Sequence, residues 1–494
     1  NLNPLKKLAG QTVIYGLPSI IGRMLGYLLV PIYTRVFDQG EYGTVTLFYS
    51  FVAVIFIILT YGMETAFFRF SELEKNKKNV FNTVFISLLI TTSIFLVFTI
   101  IYSQDIANWI KYPGQKNYVI WFLIILSLDT LACIPFAKLR AQNKAKRFAT
   151  IKIINIITNI CLNLFFILLC PYILKNYHSG IIFKFINVVF NPDLNLIAYV
   201  FISNLLASAL TLILLLPDIF VLRFHFNINL WKRLIYYAFP LLFAGLAGVM
   251  NETGGRILIR YLLPEDIAEQ QLGIYAACFK IAIFMALFIQ AFRYAAEPFF
   301  FSYAKEKDSK KIYADLMTYF VLVASFIFLA IMMYIDIVIH FIGEEFREGA
   351  SVIPILLLAY LFLGIFYNLS IWYKLTNNTK FGAFLAIFGA VVTISLNIYW
   401  IPRLGYIGSA WATFLCYGSM MVLSFLLSKK YYPVKYNFKR ITGYIGLSVV
   451  LFLISKFLNI EHHALKLIIN TIFLLIFLAV VYFIEKPGFK KIFR

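Results

Sequence analysis

Long apolar runs alternate with short polar breaks along the whole chain. Fourteen of these runs reach the length of a membrane crossing, which takes about 20 predominantly apolar residues as a helix. Their approximate spans are 10–36, 42–64, 79–103, 117–138, 148–174, 195–222, 234–260, 271–294, 312–340, 350–374, 380–401, 405–428, 440–458 and 464–484. The runs are continuously apolar and carry helix formers, so the short alternating strands of a membrane barrel do not fit. The shortest break is Pro402-Arg403-Leu404. The longest, on the side opposite the N-terminus, runs from about Lys175 to Asn195. No break is long enough to fold as a soluble catalytic domain.

Composition agrees with lipid as the solvent. Of 494 residues, 62% are hydrophobic and 14% charged, and Phe occurs 52 times. A soluble domain cannot hide that much apolar surface, because the buried fraction levels off with size. Disorder needs low hydrophobicity and is excluded. The five cysteines, Cys133, Cys161, Cys170, Cys278 and Cys416, lie in apolar runs with no CxxC pair, and read as small buried hydrophobes. No cleavable signal peptide is expected, since the first apolar run is too long and lacks a small-residue cleavage site.

Charge changes the picture in one respect. The chain has 44 basic and 23 acidic residues, a net +21. Counted against the fourteen spans, thirty basic residues fall on the side of the N-terminus, nine on the other side and five within spans. Basic loops stay cytoplasmic, so both termini are expected inside. The basic runs Arg140 to Arg147 and Lys305 to Lys311 then read as orientation signals or anionic-lipid contacts. They do not call for nucleic acid.

The chain repeats itself. At an offset of 234, Arg140 aligns with Lys374, Asn143 with Asn377, Lys146 with Lys380, Ala149 with Ala383, Ile153 with Ile387, and Leu162-Asn163 with Leu396-Asn397. Tyr15-Gly16-Leu17-Pro18 resembles Tyr237-Ala238-Phe239-Pro240 at an offset of 222. The expected organisation is an all-α polytopic protein with two pseudo-symmetric six-helix bundles. They cover 1–230 and 231–430, with helices 13 and 14 and a tail in 431–494. Six helices return the chain to its starting side, so the halves run parallel about an axis normal to the membrane.

Candidate chemistry is sparse. No Gly is followed by Lys and Ser or Thr, so there is no P-loop, and HExxH is absent. His178, His225, His340, His462 and His463 form no ligand cluster. No cofactor, metal or catalytic residue is expected, and transport work must draw on an ion gradient, the membrane potential or the substrate's own gradient. Charges within spans are the informative residues, because each is expensive in hydrocarbon unless it faces a cavity or a partner. Arg23 lies near the middle of the first span, with Ser19 and Tyr27 on the same face at helical spacing. Glu252, Arg256 and Arg260 repeat every four residues on the seventh, and Lys280 lies two turns into the eighth. Together they present positive charge suited to a phosphate, which an arginine fork grips with two bonds. Set against that reading are a pair of Arg256 with Glu252, snorkelling of Arg260, and a structural pair of Arg23 with Glu64 or Asp129. Glu64 and Asp129 are candidate proton-exchanging groups, since a carboxyl in an apolar bundle holds its proton more readily; the alternative is a partner for a nearby arginine. Asp336 and Glu297 read as caps or partners. Lys152 reads as a snorkelling anchor, and Asn155, Asn159, Asn163 and Asn397 as bonds between helices.

The six-plus-six-plus-two pattern resembles bacterial polysaccharide exporters of the multidrug/oligosaccharidyl-lipid/polysaccharide superfamily, specifically the O-antigen (Wzx-type) flippases. The resembling segments are Pro31-Ile32-Tyr33-Thr34-Arg35 with Glu41-Tyr42-Gly43; Tyr61-Gly62-Met63-Glu64-Thr65 with Arg69; Gly273-Ile274-Tyr275 and Glu297-Pro298; and Leu404-Gly405-Tyr406-Ile407-Gly408-Ser409-Ala410. The resemblance implies a MATE-like fold, two bundles in a V around a cationic cavity. It implies alternating access that moves an undecaprenyl-pyrophosphate-linked oligosaccharide from the inner to the outer leaflet. Arg23 matches an arginine common on the first helix of such proteins. Where relatives often carry Asp-Arg on the seventh helix, this chain has Gly255-Arg256, with Glu252 as the substitute acid. Coupling to H+ or Na+ is implied for some relatives only. A monomer among membrane lipids, in reach of a polysaccharide polymerase complex, is expected. A lipid II flippase shares fold and cargo head. A cation-coupled drug antiporter would favour acids and aromatics over arginines, and twelve helices. A non-transport scaffold has no use for charges within spans.

Overall fold

The computed structural model describes residues 26–220, 225–302, 308–376, 378–458, 460 and 462–492, and among these all regular structure is helical. The principal helices are α1 (Val30–Val36), α2 (Gln39–Thr60), α3 (Met63–Leu73), α4 (Lys77–Ile101), α5 (Lys116–Ala141), α6 (Ala145–Leu164), α7 (Leu196–Ile219) and α8 (Ile228–Leu262). They continue with α9 (Glu265–Ser302), α10 (Ser309–Met333), α11 (Ile353–Leu369), α12 (Lys380–Leu404), α13 (Tyr406–Tyr431), α14 (Phe438–Phe457) and α15 (His463–Ile492).

Thirteen segments are long and apolar enough to cross a membrane, from Gln39–Leu73 to His463–Lys486. They match the second to fourteenth expected spans one for one, and the protein is a multipass membrane protein. The first expected span lies outside the described residues except for its final part, where α1 forms; Ser19 and Arg23 are among those not described. The fifth span is α6 extended through a π-turn at Phe165–Leu169 into Cys170–Asn176. The long break after it folds in part as the short helix Ile181–Val189.

Two compact units divide between Arg260 and Tyr261. In the first, α7 packs against α5 and α6, and α4 against α3 and α5. Leu230, Leu234 and Ala238 of α8 join Met63, Phe67, Val84 and Ile134 in one buried core. That packing carries the unit through α8 to Arg260, past the expected junction at 230. The second span is one helix broken in two. Tyr61 and Gly62 both adopt positive φ, at 31° and 72°, a conformation that favours glycine. A Cβ on Gly62 would lie 2.8 Å from the Ala238 carbonyl oxygen. The break therefore depends on glycine at 62, and it sets the direction in which α3 carries Glu64.

In the second unit α13 packs against α11 and α12, the order that α7, α5 and α6 follow in the first. The expected repeat pairs Asn163 with Asn397, and both are buried. Each donates from Nδ2 to the carbonyl one turn back, Asn159 at 2.8 Å and Thr393 at 2.7 Å. The expected break at 402–404 is confined to Gly405. Its φ is +60°, and a Cβ there would collide with Gln271, whose Oε1 accepts the Tyr406 N–H at 3.0 Å.

The last two helices pack on α10. Asn470 of α15 donates to the Met333 carbonyl at 2.6 Å and accepts from Ser455 at 2.6 Å. Lys466 pairs with Asp336 at 2.5 Å. At the opposite end Glu485 is 2% exposed and pairs with Arg440 at 3.1 Å.

Candidate functional site

Helical spacing places Asp129, Cys133, Phe136 and Arg140 on one stripe of α5. Each of these side chains meets a residue of another helix in the first unit. Arg140, at the end of the span, forms an ion pair with Glu64 of α3. Its guanidinium also lies over the Phe68 ring, 4.8 Å from the centroid. Cys133 Sγ donates to the other Glu64 oxygen at 3.4 Å. The break at Tyr61–Gly62 produces this meeting, because it turns α3 so that Glu64 faces α5.

About three turns from Arg140, Asp129 accepts a hydrogen bond from the buried Ser208 of α7 and lies within electrostatic reach of Lys152 on α6. Lys152 also acts on the Cys133 thiol and on Arg140. Its ammonium lies 4.3 Å from the Phe136 ring centroid. Tyr49 of α2 is within reach of Asp129 and accepts from Asn204 Nδ2 at 2.9 Å. The result is a ladder of two acids and two bases, the ion pair Arg140–Glu64 and, at longer range and without a direct salt bridge, Asp129 and Lys152. Eleven residues separate Asp129 from Arg140 on α5, about 16 Å along the axis at ~1.5 Å per residue. The charges of the ladder sum to zero, which is what limits the cost of ionised groups in an apolar bundle.

Further out on the same helices the asparagines bond between elements. Asn155 donates to Thr211 of α7 at 2.8 Å, and Asn163 accepts from Tyr33 of α1 at 2.7 Å.

The remaining expected residues lie on other helices. On α8, Glu252 is exposed and Arg256 half-buried, and Arg256 donates to the backbone carbonyl of Glu252 at 3.3 Å. Arg260 is 4% exposed. It donates to the Lys111 carbonyl at 2.9 Å and lies 5.0 Å from the Tyr112 ring centroid. It thus holds the turn that follows Ser103–Trp109, where Lys111 has a φ of 63°. Tyr27 is half-buried beside α1, and Lys280 half-buried on α9 in the second unit. Among the described residues no group of three or more His, Cys, Asp or Glu could hold a metal ion.

Residues 8–304, more than half of the chain, match the polysaccharide biosynthesis protein family. The chain belongs to that family. Its fold resembles the lipid II flippase MurJ in an inward closed conformation, with a TM-score of 0.72, 15% identity, and 95% of this chain and 99% of that one covered. It also resembles a multidrug resistance MATE family transporter of the MOP superfamily. The inward-facing form gives a TM-score of 0.60 at 13% identity, covering 89% and 94%. The outward-facing form gives 0.60 at 14%, covering 88% and 96%. Among curated proteins none matches. This family member therefore has the fold of the MOP superfamily, as the sequence motifs imply.

Arg140 and Lys152 are the members of the ladder that sequence reasoning assigned elsewhere, to orientation and to anchoring. Spacing along the chain does not mark them, because the groups they face, Glu64 for Arg140 and Asp129 and Phe136 for Lys152, lie on other helices.

Proposed function

We propose that this protein is a flippase that carries an undecaprenyl-pyrophosphate-linked oligosaccharide from the inner to the outer leaflet of the cytoplasmic membrane by alternating access. The observation that carries the reading is the conjunction of a polysaccharide biosynthesis family match with a fold shared along the whole chain with a lipid flippase. In this reading the cargo is an O-antigen, capsule or exopolysaccharide repeat unit, and the protein works without covalent chemistry. Arg23, Arg256 and Lys280 contact the pyrophosphate, with Ser19 and Tyr27 beside Arg23 on the first span. Arg260 belongs to the fold, because its guanidinium is already committed to the 110–112 turn. Glu64 and Asp129 exchange protons through the ladder, and Glu252 partners Arg256. Both termini face the cytoplasm, and a polymerase complex receives the cargo outside.

The test measures where the cargo head lies. In sealed spheroplasts an impermeant oxidant should attack the lipid-linked sugar when the protein is present and spare it when the protein is deleted. Equal attack in both strains overturns the proposal.

A second reading, lipid II as cargo, is favoured by the MurJ likeness. Growth of a lipid II flippase depletion strain on this chain supports it. Failure to grow, together with restored glycan export in the deletion strain, assigns the oligosaccharide.

A further inference from the structure

A cavity of about 340 Å³ opens at the lysine-rich end of the first unit, where α3, α5 and α7 stop and α4 and α6 begin. Five basic side chains line it, against one acid, Asp218. Asp218 is engaged: Arg147 pairs with its carboxylate at 2.8 Å and Lys138 donates to its backbone carbonyl at 2.8 Å. Lys77 pairs with Glu72 at 3.4 Å. Lys78 and Lys144 have no ion-pair partner among the described residues, and both repel Lys138. Positive charge is thus left over on exposed lysines at the rim of the cavity.

Three independent features select an oxyanion as its counterpart. Ser71 lines the cavity at 3% exposure, and its hydroxyl has no hydrogen-bond partner among the described residues. A buried unmade hydrogen bond is costly and is normally satisfied. The N-terminus of α6 borders the same space with no side-chain cap at Lys144. Its free N–H groups and helix dipole favour an anion. Phe67 and Phe81 form a buried apolar floor, which a free ion does not need but a lipid does. The cavity lies where helices end.

We propose that this cavity binds the phosphate of an anionic phospholipid from the leaflet bordering the lysine-rich loops. Lys78, Lys144 and the Ser71 hydroxyl hold the phosphate oxygens, while the glycerol and upper chain rest on Phe67 and Phe81. The site lies apart from the acid–base ladder and does not depend on the cargo reading.

The test uses purified full-length protein and measures affinity for dioctanoyl phosphatidylglycerol, dioctanoyl phosphatidylcholine and inorganic pyrophosphate. The double variant Lys78→Gln/Lys144→Gln should bind phosphatidylglycerol about thirtyfold more weakly, whereas Lys78→Arg/Lys144→Arg retains it. Lys75→Gln/Lys146→Gln removes the same charge outside the cavity and should leave the affinity unchanged. Equal weakening by both glutamine pairs would reduce the effect to a diffuse surface field and overturn the site. Unchanged affinity in Lys78→Gln/Lys144→Gln overturns it as well. Pyrophosphate binding that is lost in that variant, with phosphatidylglycerol indifferent, overturns the lipid assignment in favour of a soluble phosphate.

Discussion

Glu64 and Arg140 form an ion pair that joins the restarted half of the second span to the last turn of the fourth. Neither residue is deeply buried; their side chains are 37% and 33% exposed. A pair this open contributes little to stability, because solvent screens it. The same exposure leaves the Glu64 carboxylate open to solvent.

Replacing Glu64 by Gln should therefore separate export from stability. The expected melting shift corresponds to about 1 kcal/mol or less, while glycan export falls at least tenfold. A double-mutant cycle with Arg140→Gln checks both quantities. A coupling in stability well above that value, with export unaffected in Glu64→Gln, would make the pair purely structural.

Gly62→Ala should be more damaging than either change to the pair, although it removes no charge. It places a Cβ against the Ala238 carbonyl in a left-handed conformation. Strain of this type costs about 1–3 kcal/mol. Reduced thermal stability in detergent is the expected result, with loss of the α3–α5 ion pair as α3 rotates. Full stability of Gly62→Ala would show that the break tolerates a side chain.

Most of the fold was legible because bilayer thickness dictates helix length: each expected span from 42–64 onward has its counterpart, and even the break before Tyr406 falls at the glycine that ends the preceding helix. The ladder was only half legible. Glu64 and Asp129 stand out as acids in apolar surroundings, whereas Arg140 and Lys152 sit near span ends where basic residues usually mark orientation. What distinguishes them is their partner on another helix, and sequence spacing along one helix does not reveal that. Arg260 shows the reverse difficulty. Its four-residue spacing from Arg256 suggested a shared cargo surface, but its partner is a turn some 150 residues away in the chain.

Asp129 and Lys152 should behave as a unit. Asp129→Asn leaves the lysine without its acid in a low-dielectric bundle, and Lys152→Gln does the converse, each a destabilising change of a few kcal/mol. Removing both charges together should recover most of the lost stability. Export should stay low in the double variant if the acid exchanges protons, and return if the pair is only structural. Expression and melting temperature, set beside export in the same four strains, resolve the two.

The two arginines of α8 are expected to differ in kind. Arg260→Ala removes the donor that holds the Lys111 carbonyl and the cation over Tyr112. It should lower the melting temperature and the yield of folded protein. Arg256→Ala, and likewise Arg23→Ala, should leave folded protein in the membrane and abolish export. Normal export by Arg23→Ala would remove that residue from the cargo site.

The last two helices are joined to each other by a buried carboxylate. Glu485 accepts from Tyr444 at 2.5 Å and pairs with Arg440 through both of its oxygens. Unlike the open Glu64 pair, this one is almost fully enclosed on the acid side. Replacing Glu485 with Gln should therefore leave the half-exposed Arg440 to solvent but leave Tyr444 with a weaker acceptor, a loss of about 1–3 kcal/mol. Because the pair joins α14 to α15, the effect should show as earlier protease cleavage between these two helices. The ladder in the first unit shares none of these contacts, and export per folded molecule should be unaltered. A Glu485→Gln protein that resists protease like the parent yet fails to export would give this carboxylate a role in transport.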